Sequence, residues 1–479
     1  MSDKFNSYRY KTQPYEHQKK VLKDSWAELY YAYLLEMGTG KSKCAIDNIG
    51  MLYEDNKINA VLIIAPKGVM DNWSKGEIPV HLPDRIPRIV CGWTPSSSKK
   101  FAEELKHITY HKTNDLKFFV MNVEAFSTSR GTKAAYEFLL KNPENMVVVD
   151  ESTTIKNRKA ARTKNIMELR NVSLYRRILT GSPVTKSPMD LFSQCFFLSP
   201  RALGFNSYYA FQNRYAQVQS RTMGNRSFQE IVGYRRLDEL NEKLLSFSNR
   251  TLKEDCLDLP EKIYTRRHIE LTDEQLTVYT QMKKLALAQL QNGDLATTES
   301  VLTQIMRLQQ ICCGFFQPDE GAIQPLANNR LSGLMSVIDE CSGKAIIWAS
   351  YTYDIQRIAQ ALRDRFGPDS VATYFGGTPQ NDRQDIVNKF QDADSDLRFF
   401  VGQPKTGGFG ITLHQASTVI YFSNSYDLEI RLQSEDRAHR LGQTKSVTYV
   451  DLVSPNTIDD KVLGALRKKI GLAGQVLGE

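Results

Sequence analysis

The chain has 479 residues, 41% hydrophobic and 24% charged, an ordinary globular composition at a length that implies roughly two to four compact units rather than one core. Its 62 Lys and Arg against 54 Asp and Glu give a formal charge of +8, a mild excess that suits a polyanionic partner without requiring one. Apolar runs far shorter than the ~20 residues of a membrane helix, no apolar leader, and seven cysteines without a CxxC pair argue against membrane, secreted, disulfide-framework and zinc-module classes, so the chain is expected to stay inside the cell.

In chain order, the first signal is MGTGKS at 37–42. Its glycines let the backbone turn so that N–H groups and the following helix N-terminus aim at phosphate oxygens. Gly38, Thr39 and Gly40 then form the cradle, Lys41 reaches the β and γ phosphates, and the Ser42 hydroxyl ligates Mg²⁺. Leu35 stands where the strict pattern has its first glycine, so the segment alone also reads as a Gly-rich turn after a strand.

AVLIIAP at 60–66, LKFFVMN at 116–122, MVVVDES at 146–152 and YRRILTGSP at 175–183 follow. Continuous apolar runs separated by helical periodicity predict a parallel sheet covered on both faces, an α/β lobe over residues 1–200. The acid pair at the end of the third run places Asp150 to hold Mg²⁺ and Glu151 to orient an attacking water. An acid pair alone is also a solvated loop start; with the Gly-Lys-Ser turn 109 residues earlier, the catalytic reading is preferred.

Residues 201–330 read as a mostly helical segment, with Thr272 and Gln275 spaced as a capping box. The basic stretches RTMGNR at 221–226 and YRRL at 234–237 fit either a phosphate grip or a solvated loop. Over 331–479 the α/β pattern returns in KAIIWAS, LRFFVGQ, STVIYFS and SVTYVDLV, with Ile355, Ile358, Ala359 and Leu362 as a helical stripe. Arg437 and Arg440, three apart in LQSEDRAHRLGQ at 432–443, are expected to share a helix face and to supply the positive charge that phosphoryl transfer needs, although the stretch alone also reads as a charged surface helix. Cys312, Cys313, Trp73 and Trp348 are expected in the core.

Taken together, PYEHQ (14–18), EMGTGKS (36–42), LIIAPKGVMDNW (62–73), VVVDES (147–152), ILTGSPVTKSPMDLF (178–192), TGGFGITL (406–413) and QSEDRAHRLGQ (433–443) form a recognisable series. Over residues 14–460 the chain resembles superfamily 2 helicase-type motors, and specifically the Swi/Snf group of double-stranded DNA translocases. That resemblance implies an α/β fold of two RecA-like parallel-sheet lobes of the P-loop NTPase kind around the helical segment. It also implies ATP and Mg²⁺ as cofactors, and a monomeric motor on duplex DNA without sequence preference.

By position, the resemblance makes Gln18 the adenine-reading residue, Lys41 and Ser42 the phosphate and Mg²⁺ ligands, and Asp150 and Glu151 the metal and water residues. Thr180–Pro183 would link nucleotide state to lobe position, Gly408 and Gly410 would form a nucleotide-sensing loop, and Gln433, Arg437 and Arg440 the finger motif. Lys67, Lys405 and Thr406 fall where the family touches the DNA backbone. Three positions depart: Leu35 replaces an acidic residue, Ser42 the commoner Thr, and Ser152-Thr153 the Ala-His that usually complete the acid motif. The expected function is an ATP-dependent motor along duplex DNA, with a strand-separating DNA or RNA helicase as the alternative within the superfamily and a non-hydrolysing nucleic-acid clamp outside it.

Overall fold

The computed structural model describes residues 4–96, 98–223, 226–291, 298–318, 321–407 and 410–479. The chain forms two compact units, the first made from Met1–Arg221, Ser227–Leu257 and Gly471–Glu479, the second from Asp258–Ile470 with Thr222–Arg226.

The first unit is built on strands β1 (Tyr30–Leu35), β2 (Ala60–Ala65), β3 (Arg88–Gly92), β4 (Leu116–Asn122), β5 (Asn145–Asp150) and β6 (Tyr175–Leu179), with a hairpin of β7 (Ala216–Met223) and β8 (Arg226–Tyr234) and a short β9 (Ser248–Thr251). Seven of these form one sheet in the order β3-β4-β2-β5-β6-β1-β9, every neighbour parallel. Every residue of β2 and β5 is buried, because helices cover both faces. Alternate side chains feed two cores: Leu62, Phe119, Val147 and Val149 enter one, Val61, Ile63, Phe118 and Val148 the other. The order puts β6 between β1 and β5. Since parallel strands share a direction, the MGTGKS, Asp150-Glu151 and Thr180–Pro183 segments all leave the same sheet edge, where open α/β sheets bind ligands.

In the second unit, β10 (Lys262–His268) precedes a two-residue pair, β11 (Phe315–Phe316) and β12 (Gln324–Pro325), and then β13 (Lys344–Trp348), β14 (Val371–Tyr374), β15 (Phe399–Gly402), β16 (Ala416–Tyr421) and β17 (Val447–Val453). Its sheet runs β10-β17-β16-β13-β15-β14, again all parallel. The expected stripe lies on the helix Thr352–Phe366, with Ile355, Ile358, Ala359 and Leu362 fully buried. The two expected parallel-sheet lobes are therefore present.

In sequence, residues 201–330 contain the expected helices, Asp273–Gln291 and Thr298–Cys313, but also β7 to β12. β9 completes the first sheet and β10 the second. The helical texture of this stretch hid the strands, because β7 to β10 are polar and end at sheet edges or in the hairpin, where solvent replaces apolar neighbours. The capping box forms as expected: Gln275 N donates to Thr272 Oγ1 at 3.2 Å and Thr272 N to Gln275 Oε1 at 3.1 Å. Among the described residues no helix is long and apolar enough to cross a membrane. All seven thiols are free, and Cys312, Cys313, Trp73 and Trp348 are buried as expected.

Candidate nucleotide site

The phosphate turn is shaped from below by two side chains. Gly40 is the N-cap of the 14-residue helix Lys41–Glu54 and adopts φ 90°, a left-handed conformation that only glycine takes without strain. A Cβ there would lie 2.2 Å from Gln18 Nε2, so the turn is closed by contact as well as by torsion. Gln18 Nε2 donates to Thr39 O at 3.0 Å, and His17 Nε2 shares that carbonyl at 2.8 Å. Gln18 Oε1 accepts from Tyr15 N at 3.0 Å. Gln18 is thus placed beside the cradle and supports it. One N–H and one lone pair of its amide are engaged in doing so, leaving the other of each for a ligand.

Lys41 is nearly buried at the first position of that helix, and Ser42 follows it half-buried. Leu35 is fully buried as the last residue of β1, which explains why no glycine is needed there. The close approach is made instead by Gly181, whose Cβ would lie 3.1 Å from Met37 N and 3.3 Å from Leu35 O. The glycine of the Thr180–Pro183 segment lets that segment lie against the phosphate turn.

Asp150 ends β5, nearly buried, with Oδ2 accepting from Trp73 Nε1 at 2.8 Å and Oδ1 from Glu151 N at 3.0 Å. Burial pushes its carboxyl pKa up, while the Trp73 hydrogen bond and the Lys41 charge pull the other way. A carboxylate held there, in the field of Lys41, suits a divalent cation that completes its shell with phosphate oxygens and water. Among the described residues there is no cluster of three or more His, Cys, Asp or Glu that would form a metal cage without such a ligand. Glu151 takes φ 47° and ψ 62°, left-handed for a non-glycine residue, a strained geometry of the kind that persists where neighbours over-determine it.

The sequence reading missed two residues here. It assigned Trp73 to packing alone, although its indole N–H holds Asp150. It passed over Gln194, whose side chain meets Ser152 Oγ at 2.7 Å. A lone indole in the polar stretch NWSKGE was the available signal for the first, since buried Trp N–H groups need an acceptor. A glutamine amid DLFSQCFFL was the signal for the second.

In the second lobe the expected shared helix face is not present. The helix Leu428–Glu435 ends before either arginine, and Arg437 and Arg440 lie in the turn that follows. Tyr449 Oη donates to Glu435 O at 2.9 Å, so β17 ties the helix end and the chain turns there. The arginines nevertheless converge: Arg437 Nη1 and Arg440 Nη1 donate to Ile411 O at 3.0 Å and 3.3 Å. Arg437 Nε also donates to Gln433 O at 2.8 Å. Gln433 is on the helix, and its Oε1 is buried without a hydrogen-bond partner among the described residues. Gly410 has φ 75° one residue before Ile411, and Gly408 lies outside the described residues.

Lys67 opens a short turn after β2 and is exposed, as is Lys405 in the turn Pro404–Gly407 after β15. Thr406 Oγ1 is engaged with Gln403 Oε1 at 3.3 Å. Of the basic stretches, 221–226 falls partly outside the described residues, and Arg235 Nη2 in the other donates to Asn213 O at 2.7 Å.

The SNF2-related domain matches residues 34–316, and the helicase conserved C-terminal domain matches residues 329–442. The chain is 26% identical over 471 residues to the SWI/SNF chromatin-remodeling complex subunit snf22 of Schizosaccharomyces pombe, covering 92% of this chain and 26% of that protein. Over 458 residues it is 26% identical to the DNA annealing helicase and endonuclease ZRANB3 of Bos taurus, covering 92% and 38%. It therefore spans about a quarter to two fifths of the length of these curated relatives. Among solved structures it is similar to the Sulfolobus solfataricus SWI2/SNF2 ATPase core in complex with dsDNA, at 23% identity and a TM-score of 0.43, covering 98% of this chain and 94% of that one. With the first domain matching more than half of its residues, the chain belongs to the SNF2-related family.

Proposed function

We propose that the chain is an ATP-dependent motor that moves along duplex DNA inside the cell, working as a monomer in DNA remodelling, repair, recombination or replication. The observation that carries the reading is the shared sheet edge, where a helix-capping phosphate turn, a buried Asp150 and a left-handed Glu151 emerge beside one another. Backbone N–H groups of Gly38 to Ser42 and the Lys41 ammonium hold the triphosphate, and Gln18 reads the adenine edge with its remaining donor and acceptor. Ser42 and Asp150 would hold Mg²⁺, which when bound would supply positive charge against the phosphates. Glu151 accepts a proton from the attacking water, and Gln433, Arg437 and Arg440 supply positive charge and orientation in phosphoryl transfer.

Membership of the SNF2-related family and the DNA helicase named among the relatives support duplex DNA as the track. Lys67, Lys405 and Thr406 contact the phosphate backbone, so binding is indifferent to sequence and weakens steeply with salt, by about 0.9 in log affinity per log unit of salt for each phosphate neutralised.

The test is duplex-stimulated ATP hydrolysis by the wild type and by Lys41→Ala, Glu151→Gln and Arg440→Ala. Each substitution is expected to lower kcat by ~10³-fold, since each removes a charge or base acting on the transferring phosphoryl group. ATP binding should be lost only with Lys41. Undiminished turnover in all three would overturn the site.

A further inference from the structure

The Ser152-Thr153 departure is the one motif feature the proposed function leaves unused. Ser152 follows the left-handed Glu151 directly, and its Oγ donates to Gln194 Oε1 at 2.7 Å. Both side chains are fully buried. The Gln194 amide spends its two hydrogens on Pro183 O and Asp190 O, each at 2.8 Å. Asp190 Oδ2 in turn accepts from Lys186 N at 2.7 Å and Thr185 N at 3.0 Å, and Thr185 Oγ1 from Lys156 Nζ at 2.7 Å. The Thr180–Lys186 stretch is thereby fastened to the turn after the acid pair at two places, through Ser152 and through Lys156.

Because the Gln194 donors are both used and its side chain is fully buried, the Pro183 carbonyl has two options when it moves. It carries Gln194 with it, or it leaves a buried polar group without a partner, which is costly. Moving Gln194 pulls on Ser152, whose backbone nitrogen is bonded to the Glu151 carbonyl carbon. Glu151 is already in a sparsely allowed conformation, so a small shift at its C-terminal side redirects its carboxylate.

We propose that Ser152 and Gln194 are positioning residues that transmit the conformation of Thr180–Pro183 to Glu151, a task this chain performs without an imidazole at position 153. The proposal rests on the ATPase reading above. Loss of the Ser152–Gln194 hydrogen bond, alone in Ser152→Ala or together with the two that Gln194 donates in Gln194→Leu, is expected to lower duplex-stimulated kcat about tenfold. ATP affinity and KM should stay within about twofold, because neither residue touches the nucleotide.

The double variant Ser152→Ala/Gln194→Leu separates transmission from packing. It replaces a polar pair by an apolar one, so its melting temperature is expected to recover relative to Gln194→Leu alone while kcat stays low. Recovery of kcat together with stability would overturn the proposal, as would loss of ATP affinity in step with kcat in the single variants. Glu151→Gln serves as the control. If it is inactive while Ser152→Ala and Gln194→Leu turn over at the wild-type rate, the transmission proposal fails alone; if Glu151→Gln also turns over normally, the ATPase site falls with it.

Discussion

At the phosphate edge of the first lobe the polar groups sit at the ends of regular elements, whereas in the second lobe the two arginines sit in an irregular turn. Lys41 begins a helix, Asp150 ends a strand, and their neighbours Gln18, Trp73 and Gly181 are buried against them. Arg437 and Arg440 instead converge on one backbone carbonyl, Ile411 O. The first arrangement presents charge and N–H groups already aimed, at little reorganisation cost. In the second, a neutral carbonyl occupies donors that a phosphate would engage more strongly, since charge-assisted hydrogen bonds are roughly twice as strong as neutral ones. On the proposed function, the first lobe would bind with groups already in place, and the second would exchange a carbonyl partner for a phosphate.

The two arginines themselves allow this contrast to be broken. Arg440 is half-buried, while Arg437 is 4% exposed and holds Gln433 O through Nε as well as Ile411 O through Nη1. Arg440→Lys is expected to lower kcat about as much as Arg440→Ala, by 10² or more, because a single ammonium does not reproduce the guanidinium fork against a phosphoryl group. Arg437→Lys should lower the melting temperature as well, since one ammonium does not hold both carbonyls. Single-turnover hydrolysis alongside thermal melts would tell these apart. Equal stability loss in both variants would show that the arginines are a single structural unit.

Within the first lobe, the contrast sharpens at Trp73. Trp73→Phe keeps the aromatic packing and removes the N–H that Asp150 Oδ2 accepts. Hydrogen bonds to charged groups contribute about 1.5–3 kcal/mol, so the Mg²⁺ concentration for half-maximal ATPase should rise by ~10-fold or more. Unfolding in urea should change much less than the metal requirement. An unaltered Mg²⁺ titration would mean that the indole supports the core and not the carboxylate.

These pairings also show why part of the molecule was readable from sequence and part was not. Runs such as AVLIIA and MVVVD announce buried parallel strands because every side chain in them must be apolar. The Gly-Lys-Ser turn and the acid pair are local, so the expectations at Lys41, Asp150 and Glu151 could be drawn from sequence. Trp73 and Asp150 are 77 residues apart, and Ser152 and Gln194 42 apart. Trp73 and Gln194 by themselves look like filler in their own helices, and only the sheet order β2-β5-β6 brings them to Asp150 and Ser152. The missing helix under Arg437 and Arg440 has a similar origin. Its end meets Tyr449 of β17, a distant strand, through Glu435 O, a contact the local pattern does not carry.

The smallest effect concerns pH, and it again separates the lobes. The helix behind the phosphate turn carries Asp47, paired with Lys43 at 2.6 Å, with its pKa pushed up by burial to about 6. In the second lobe, burial pushes Asp354 up to about 7; Arg357 pairs with its Oδ1 at 3.0 Å, and Oδ2 has no hydrogen-bond partner among the described residues. A carboxyl whose folded pKa lies above its unfolded value binds more protons folded than unfolded, so its contribution to stability is present below the unfolded value and is lost as pH rises through the folded one. Between pH 6 and 7 the Asp47 contribution is largely gone, and Asp354 dominates the remaining slope. Asp354→Asn, which mimics the protonated form, is expected to flatten the decline in melting temperature over that window and to stabilise the chain at pH 8 by on the order of 1 kcal/mol. Asp47→Asn should leave the same window unchanged. A wild-type slope that survives Asp354→Asn would place the titrating group elsewhere and remove this distinction between the two lobes.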